Sequence, residues 1–247
     1  MRLESASGVR GADVVHRVLD AELTAARQRG RGQPVVVDVG GGSGGWAVPL
    51  ARAGCAVTVV EPNPNAVATL HRRAADEGVA SRITVVAEDV EALPSAIAER
   101  SADLVLAHGL LEVVDDPAAA LAAIAAVAAD GGAVSVLVAN RYAAVLSRAM
   151  AGRLTEAREL LESADGVVPS AEPGGELLRR FDVGGLTRLI EAAGLRIEVL
   201  QGHGVVSDAV ADAGDGELTA FEQAAAGRSP LREIAARLHV LARKHGA

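Results

Sequence analysis

Between positions 34 and 140 the chain alternates short aliphatic runs with longer helix-patterned segments, and this rhythm constrains the fold more than any other feature. Val35-Val36-Val37 opens the series, and further runs follow at 56–60, 82–87, 103–107 and 133–139. The segments 46–53, 66–77 and 117–129 between them read as helices. Strands that are apolar throughout have no face to show to water, so the pattern predicts parallel βαβ units with helices covering both faces. Glycines punctuate it: Gly78 closes one helix, and Gly131-Gly132 turns the chain into the fifth strand.

Composition narrows the class. Half of the 247 residues are hydrophobic, 2% are aromatic and 23% are charged, which predicts an aliphatic, alanine-rich core and excludes disordered, collagenous and disulfide-framework chains. The formal charge of −8 speaks against a partner held through nucleic-acid phosphates. Cys55 stands alone, so no internal disulfide or thiolate metal cluster is expected, and no metal is assigned. No signal peptide and no apolar run of membrane-spanning length is read, so the expectation is cytoplasmic residence without a membrane partner.

After Asn140 the rhythm changes. Residues 142–163 read as one or two helices, 165–175 as a Pro/Gly/Ser-rich loop, 181–193 as a helix and 195–200 as a strand. The stretch 237–244 fits helix or strand. The expected organisation is one domain over 1–247: an N-terminal helical segment (1–33), a cofactor-binding core (34–140), a helical lid (141–180) anchored by Met150 and Phe181, and a C-terminal part (181–247).

The most informative stretch is Asp38-Val39-Gly40-Gly41-Gly42-Ser43-Gly44-Gly45, set between a buried strand and a helix. Glycines there allow a sharp turn and close ligand approach, and the helix start offers unpaired N–H groups. Gly40, Gly42 and Gly45 satisfy G-x-G-x-x-G, which permits a nicotinamide dinucleotide. Three acids argue otherwise. Asp38 at the strand end would repel a pyrophosphate but suits an ammonium. Glu61, followed by Pro62, ends the second strand and can accept from ribose hydroxyls. Asp89, with the Val90 amide, follows the third strand, where either can meet an adenine edge or Asp89 can simply cap a turn. An amino acid, a ribose and an adenine together describe S-adenosylmethionine. Gly41 and Gly45 are read as turn formers.

On Asp38, the loop glycines Gly40, Gly42 and Gly44, Glu61 and Asp89, the chain resembles the class I S-adenosylmethionine-dependent methyltransferases. A narrower likeness rests on the stretch 106–117, with His108-Gly109-Leu110-Leu111-Glu112, and on Ala139-Asn140, Ala151-Gly152 and 239–244; these are similar to the bacterial tRNA 5-carboxymethoxyuridine methyltransferase group once called SmtA. The resemblance implies an α/β, Rossmann-like seven-stranded sheet, mostly parallel with an antiparallel last strand at 237–244, and helices on both faces. It also implies S-adenosylmethionine as cofactor and a tRNA wobble uridine as substrate. Two departures bear on the substrate. Gly202-His203-Gly204-Val205 stands where that group carries Gly-x-Arg-Val, so the arginine suited to a substrate carboxylate is absent, and the group's Tyr-Gly motif has no counterpart unless Gly8 to Gly11 with Arg10 replaces it.

The expected chemistry is methyl transfer to a carboxylate or hydroxyl oxygen, driven by proximity and orientation. A carboxylate needs no base; a hydroxyl does, and His108, after the fourth strand, is the candidate base as well as a cofactor neighbour. His203, after the sixth strand, is a second candidate catalytic residue, placed to face the substrate and partly replace the missing arginine. Arg10, Asn140, Arg141 and Tyr142 are the candidate substrate contacts, and His16, His71 and His245 are read as surface residues. The competing readings are a small-molecule O-methyltransferase, an NAD(P)-dependent dehydrogenase and a cofactor-binding module without turnover.

Overall fold

The computed structural model describes residues 12–167, 178–206 and 215–245. A seven-stranded sheet organises them. Its strands are β1 (Val35–Val39), β2 (Ala56–Val60), β3 (Ile83–Val86), β4 (Ala102–His108), β5 (Ala128–Ala139), β6 (Leu195–His203) and β7 (Arg237–Lys244), in the spatial order β3-β2-β1-β4-β5-β7-β6. β1 through β5 pair in parallel; β7 runs antiparallel to both β5 and β6. The strand alternative for 237–244 is the one realised, and the expected Rossmann-like sheet is present.

Side-chain alternation sorts the core into two layers. Val37 and Val39 of β1, Val105 and Ala107 of β4, and Val134, Val136 and Val138 of β5 pack against α5 (Pro117–Val127) and α8 (Val183–Ala192). Val36, Leu104, Leu106, Leu137 and Leu241 face the other way, onto α1 (Ala12–Gln28), α2 (Ala47–Arg52) and α3 (Pro64–Asp76). α1 docks through Val15, Leu19 and Leu23, a stripe at helical spacing. Truncating any of its buried leucines to alanine costs about 2–5 kcal/mol. The helix is also pinned by Glu22, which accepts from Arg243 of β7 at 2.5 Å and from Arg29 at 2.8 Å.

One boundary and one expected anchor differ from the sequence reading. α5 stops at Val127 and β5 begins at once, because Ala128 pairs with Ala102 before a bulge resets the register at Leu104 and Ala133. Gly132 is held in that bulge by crowding, since a Cβ there would lie 2.8–2.9 Å from the carbonyl oxygens of Ala129 and Ala102. In the expected lid, α6 (Arg141–Met150) and α7 (Leu154–Glu162) form a helical pair, Phe181 is buried, and Met150 is 80% exposed. Met150 is therefore no anchor, and Leu146, one turn earlier on α6, is exposed as well.

Candidate functional site

The carboxyl ends of β1 to β4 converge on one edge, where strand residues give way to loops. The glycine turn leaves β1 here, with Gly40, Gly42 and Gly44 at φ of 70°, 54° and 81°. Gly44 is doubly constrained, because a Cβ would lie 2.2 Å from Leu70 Cδ1. Gly41 is more than a turn former. Its Cβ would meet Val59 Cγ1 at 2.7 Å and Asp38 Oδ2 at 2.8 Å, so the backbone lies directly on the Asp38 carboxylate.

Asp38 is 1% exposed and its Oδ2 has no hydrogen-bond partner. Burial, and then the neighbouring Glu61 charge, push its pKa up from 3.8 to about 7. A buried carboxylate without a donor is costly unless a cation completes it. Glu61 is fixed differently: Gly42 N–H donates to its Oε2 and Asn63 N–H to its Oε1, each at 2.9 Å. Asn63 in turn caps α3 ahead of Pro64. Asp89 accepts the Val90 N–H at 2.6 Å and caps a 3-10 turn, so the Val90 amide offered to an adenine edge is already engaged within the chain. Gly40, Glu61, Pro62 and Asp89 form one wall of a cleft of about 310 Å³ whose other wall holds Leu110, Val113 and Val114.

Further along the edge the polar groups change character. His108 ends β4, with its ring edge-on to Trp46 at 4.6 Å between centroids, and Trp46 lies 4.5 Å from His16. His16 is thus a half-buried ring of the site, whereas His71 and His245 are exposed. His108 Nε2 lies 2.8 Å from Ser135 Oγ, Ser135 Oγ lies 2.9 Å from His239 Nε2, and His239 Nδ1 lies 2.9 Å from Gln201 Nε2. This buried chain crosses β4, β5, β7 and β6 on the α1 side of the sheet.

The hydrogens along it follow from its far end. Gln201 Nε2 also donates to the Val14 carbonyl, at 3.4 Å; an amide oxygen in that place would oppose two lone pairs. The Gln201 NH₂ therefore donates to His239 Nδ1 and His239 Nε2–H donates to Ser135; His108 Nε2 is the other partner of Ser135 Oγ, so we assign the hydroxyl hydrogen to it. His108 is left with its hydrogen on Nδ1, which is buried and has no partner. Both rings stay neutral. Burial foremost, then the charges of His239, Arg237, His203 and His16, holds the His108 pKa well below the usual imidazole range, and burial, then His203, brings His239 down to about 3.

The remaining sequence candidates separate. Asn140 is 1% exposed; its Nδ2 donates to the carbonyls of Glu233 and Ala235, and its Oδ1 accepts the Tyr142 N–H to cap α6, so both its donors are spent. Arg141 donates to the carbonyls of Leu160, Leu161 and Ser163, joining α6 to the end of α7. Tyr142 is 40% exposed, and Arg10 lies outside the described residues. His203 ends β6 opposite Arg237. Sequence reasoning passed over Ser135, Gln201, His239 and Arg237, although a serine and a histidine inside otherwise aliphatic strands were a visible signal. No group of three or more metal-ligating side chains gathers among the described residues, and none of their helices is long and apolar enough to cross a membrane.

Comparison with known proteins places this geometry. A search of curated proteins returns no match. Among solved structures, a SAM-dependent methyltransferase of Methanosarcina mazei superposes with a TM-score of 0.61 at 15% identity, over 87% of this chain and 94% of its own. The 1,6-didemethyltoxoflavin-N1-methyltransferase of Burkholderia thailandensis, solved with S-adenosylhomocysteine, gives 0.58 at 20% identity over 98% and 80%. Magnesium protoporphyrin IX methyltransferase of Synechocystis PCC 6803, also with S-adenosylhomocysteine, gives 0.58 at 13% over 92% and 82%. These likenesses speak to the fold, and a family match speaks to the chain itself. Residues 12–200, well over half of the sequence, match the methyltransferase domain, and the chain belongs to that family of S-adenosylmethionine-dependent enzymes.

Proposed function

We propose that this methyltransferase acts on an oxygen that is already anionic when it binds, a carboxylate, on a small molecule or a modified nucleoside. S-adenosylmethionine supplies an activated methyl group, so what the chain must provide is placement. The residues fit this cofactor: the unpartnered, buried Asp38 Oδ2 suits its ammonium, Glu61 is held by two backbone N–H groups at the mouth of the cleft, and Gly41 keeps the loop tight against Asp38. Asp89 and Val90 are the proposed adenine neighbours, once the cap between them yields.

One observation carries the choice of acceptor: His108 Nε2 is engaged at 2.8 Å by Ser135 at the end of the Gln201–His239–Ser135 chain. With the hydrogens assigned as above, His108 keeps a donor and no lone pair to use as a base. A neutral hydroxyl needs a base; a carboxylate does not. The resemblance to carboxymethoxyuridine methyltransferases fits such an acceptor, and the charge of −8 favours a small molecule over tRNA.

The test supplies cofactor with a labelled methyl group together with either bulk tRNA or a small-molecule cell extract. Label that mild base releases as methanol is the expected outcome, because esters hydrolyse and ethers or methylamines do not. Base-stable label would overturn the reading. Which pool carries the label decides between nucleoside and metabolite.

A further inference from the structure

Arg237 stands at the carboxyl edge of the sheet with no carboxylate paired to it among the described residues. β7 runs antiparallel between β5 and β6, so its first residue lies at the carboxyl edge of the parallel strands, where Arg237 pairs with Ala139 on one side and His203 on the other. Directly opposed residues in a sheet carry Cβ atoms roughly 5 Å apart on one face. The guanidinium therefore springs from beside His203.

The face is also the right one. Residues two apart on a strand share a side, and His239 lies on the side of Ser135, His108 and Trp46. Arg237 is exposed, and no carboxylate pairs with it among the described residues, whereas Arg243 further along β7 is paired with both Glu22 and Glu198. Its charge is felt by His108 and by Glu112, the buried acid whose Oε1 accepts the Ala139 N–H. We propose that Arg237 docks the carboxylate of the methyl acceptor, with His108 Nδ1–H as the second donor, so that the edge beyond β4 is an anion site. This rests on the acceptor reading above.

The chemistry balances without a base. One carboxylate oxygen forms the new bond to the methyl carbon as the methyl–sulfur bond breaks, the electron pair stays on sulfur, and no proton is released. Arginine suits the task because its planar fork holds a carboxylate in one orientation, which a lysine cannot do.

The test titrates nitrogen-15-labelled protein, saturated with S-adenosylhomocysteine, with benzoate and with the neutral isostere benzamide, following ring signals of His108 and side-chain signals of the arginines. Benzoate should bind about tenfold more tightly, as one charge-assisted hydrogen bond warrants, and should shift Arg237 and His108 together. Arg237→Gln should erase the preference and Arg237→Lys should keep part of it. Arg232→Gln, at a residue paired with Glu233, should leave the preference intact. Equal binding of the two probes, or a preference that survives Arg237→Gln while S-adenosylhomocysteine still binds, would overturn the proposal. A His108 ring carrying its hydrogen on Nε2 would overturn the acceptor reading and remove His108 from the anion site, while the part of Arg237 is decided by benzoate alone.

Discussion

The two halves of the sheet's carboxyl edge are built from opposite materials. The half at β1 to β3 is acidic and local: Asp38, Glu61 and Asp89 each follow or end a strand, and backbone N–H groups hold two of the three in place. The half at β4 to β7 is mainly imidazole and guanidinium, assembled from His108, Ser135, Gln201, His203, Arg237 and His239 through strand register, with one buried acid, Glu112, held by the Ala139 N–H. An acidic half suits a cationic cofactor, and a donor-rich half suits an anionic acceptor. On the acceptor proposed above, that difference would help to keep the two reactants from exchanging places.

Breaking the acidic half should have the largest effect. Asp38→Asn is expected to weaken S-adenosylhomocysteine binding at pH 8 by about a hundredfold, the scale of a lost charge-assisted contact in a buried site, which calorimetry would read. In the native protein, affinity should rise with pH up to about 7, where Asp38 ionises, and level off above it, with a proton released on binding at pH 6.

The same comparison has a signature in stability. Asp38 ionises at about 7 when folded and near 3.8 when unfolded, so raising the pH from 4 to 6.5 costs the folded state about 1.4 kcal/mol per unit. His239, at about 3 when folded against 6.5 unfolded, acts in the opposite sense: its share of stability is present above 6.5 and is lost as the pH falls. Asp38→Asn should therefore steepen the acid loss of stability and His239→Gln should flatten it, as urea midpoints across this window would show. Unchanged slopes in both variants would remove the electrostatic contrast.

Smaller effects sharpen each half. Gly41→Ala, which forces a methyl group against Val59 and the Asp38 carboxylate, should cost about 2 kcal/mol and weaken cofactor binding with it. Ser135→Ala strands two buried imidazole nitrogens and should cost about 1–2 kcal/mol. Its more telling result is a change in the His108 ring-nitrogen signals with cofactor affinity untouched.

The acidic half was legible because its signals are contiguous: a strand, a glycine turn and an acid at each following strand end can be counted off the chain. β2 was readable residue for residue for the same reason. The other half depends on β7 lying between β5 and β6, which places His239 beside Ser135 and Gln201 although 104 and 38 residues separate them. Periodicity identifies such strands without saying which neighbours they take. Asn140 and Arg141 misled for a related reason, since loops after strands are where ligands meet a sheet of this kind, yet here their polar atoms satisfy the chain's own carbonyls.

The insertion of β7 also sets an order of assembly. β7 joins β5 across roughly a hundred residues of intervening chain, a separation that makes its closure among the slowest contacts to form. Residues 35–114, which carry the acidic half and both walls of its cleft, emerge from synthesis long before 237–244. The strands and loops that line the cleft are thus all made before the strand that completes the other half.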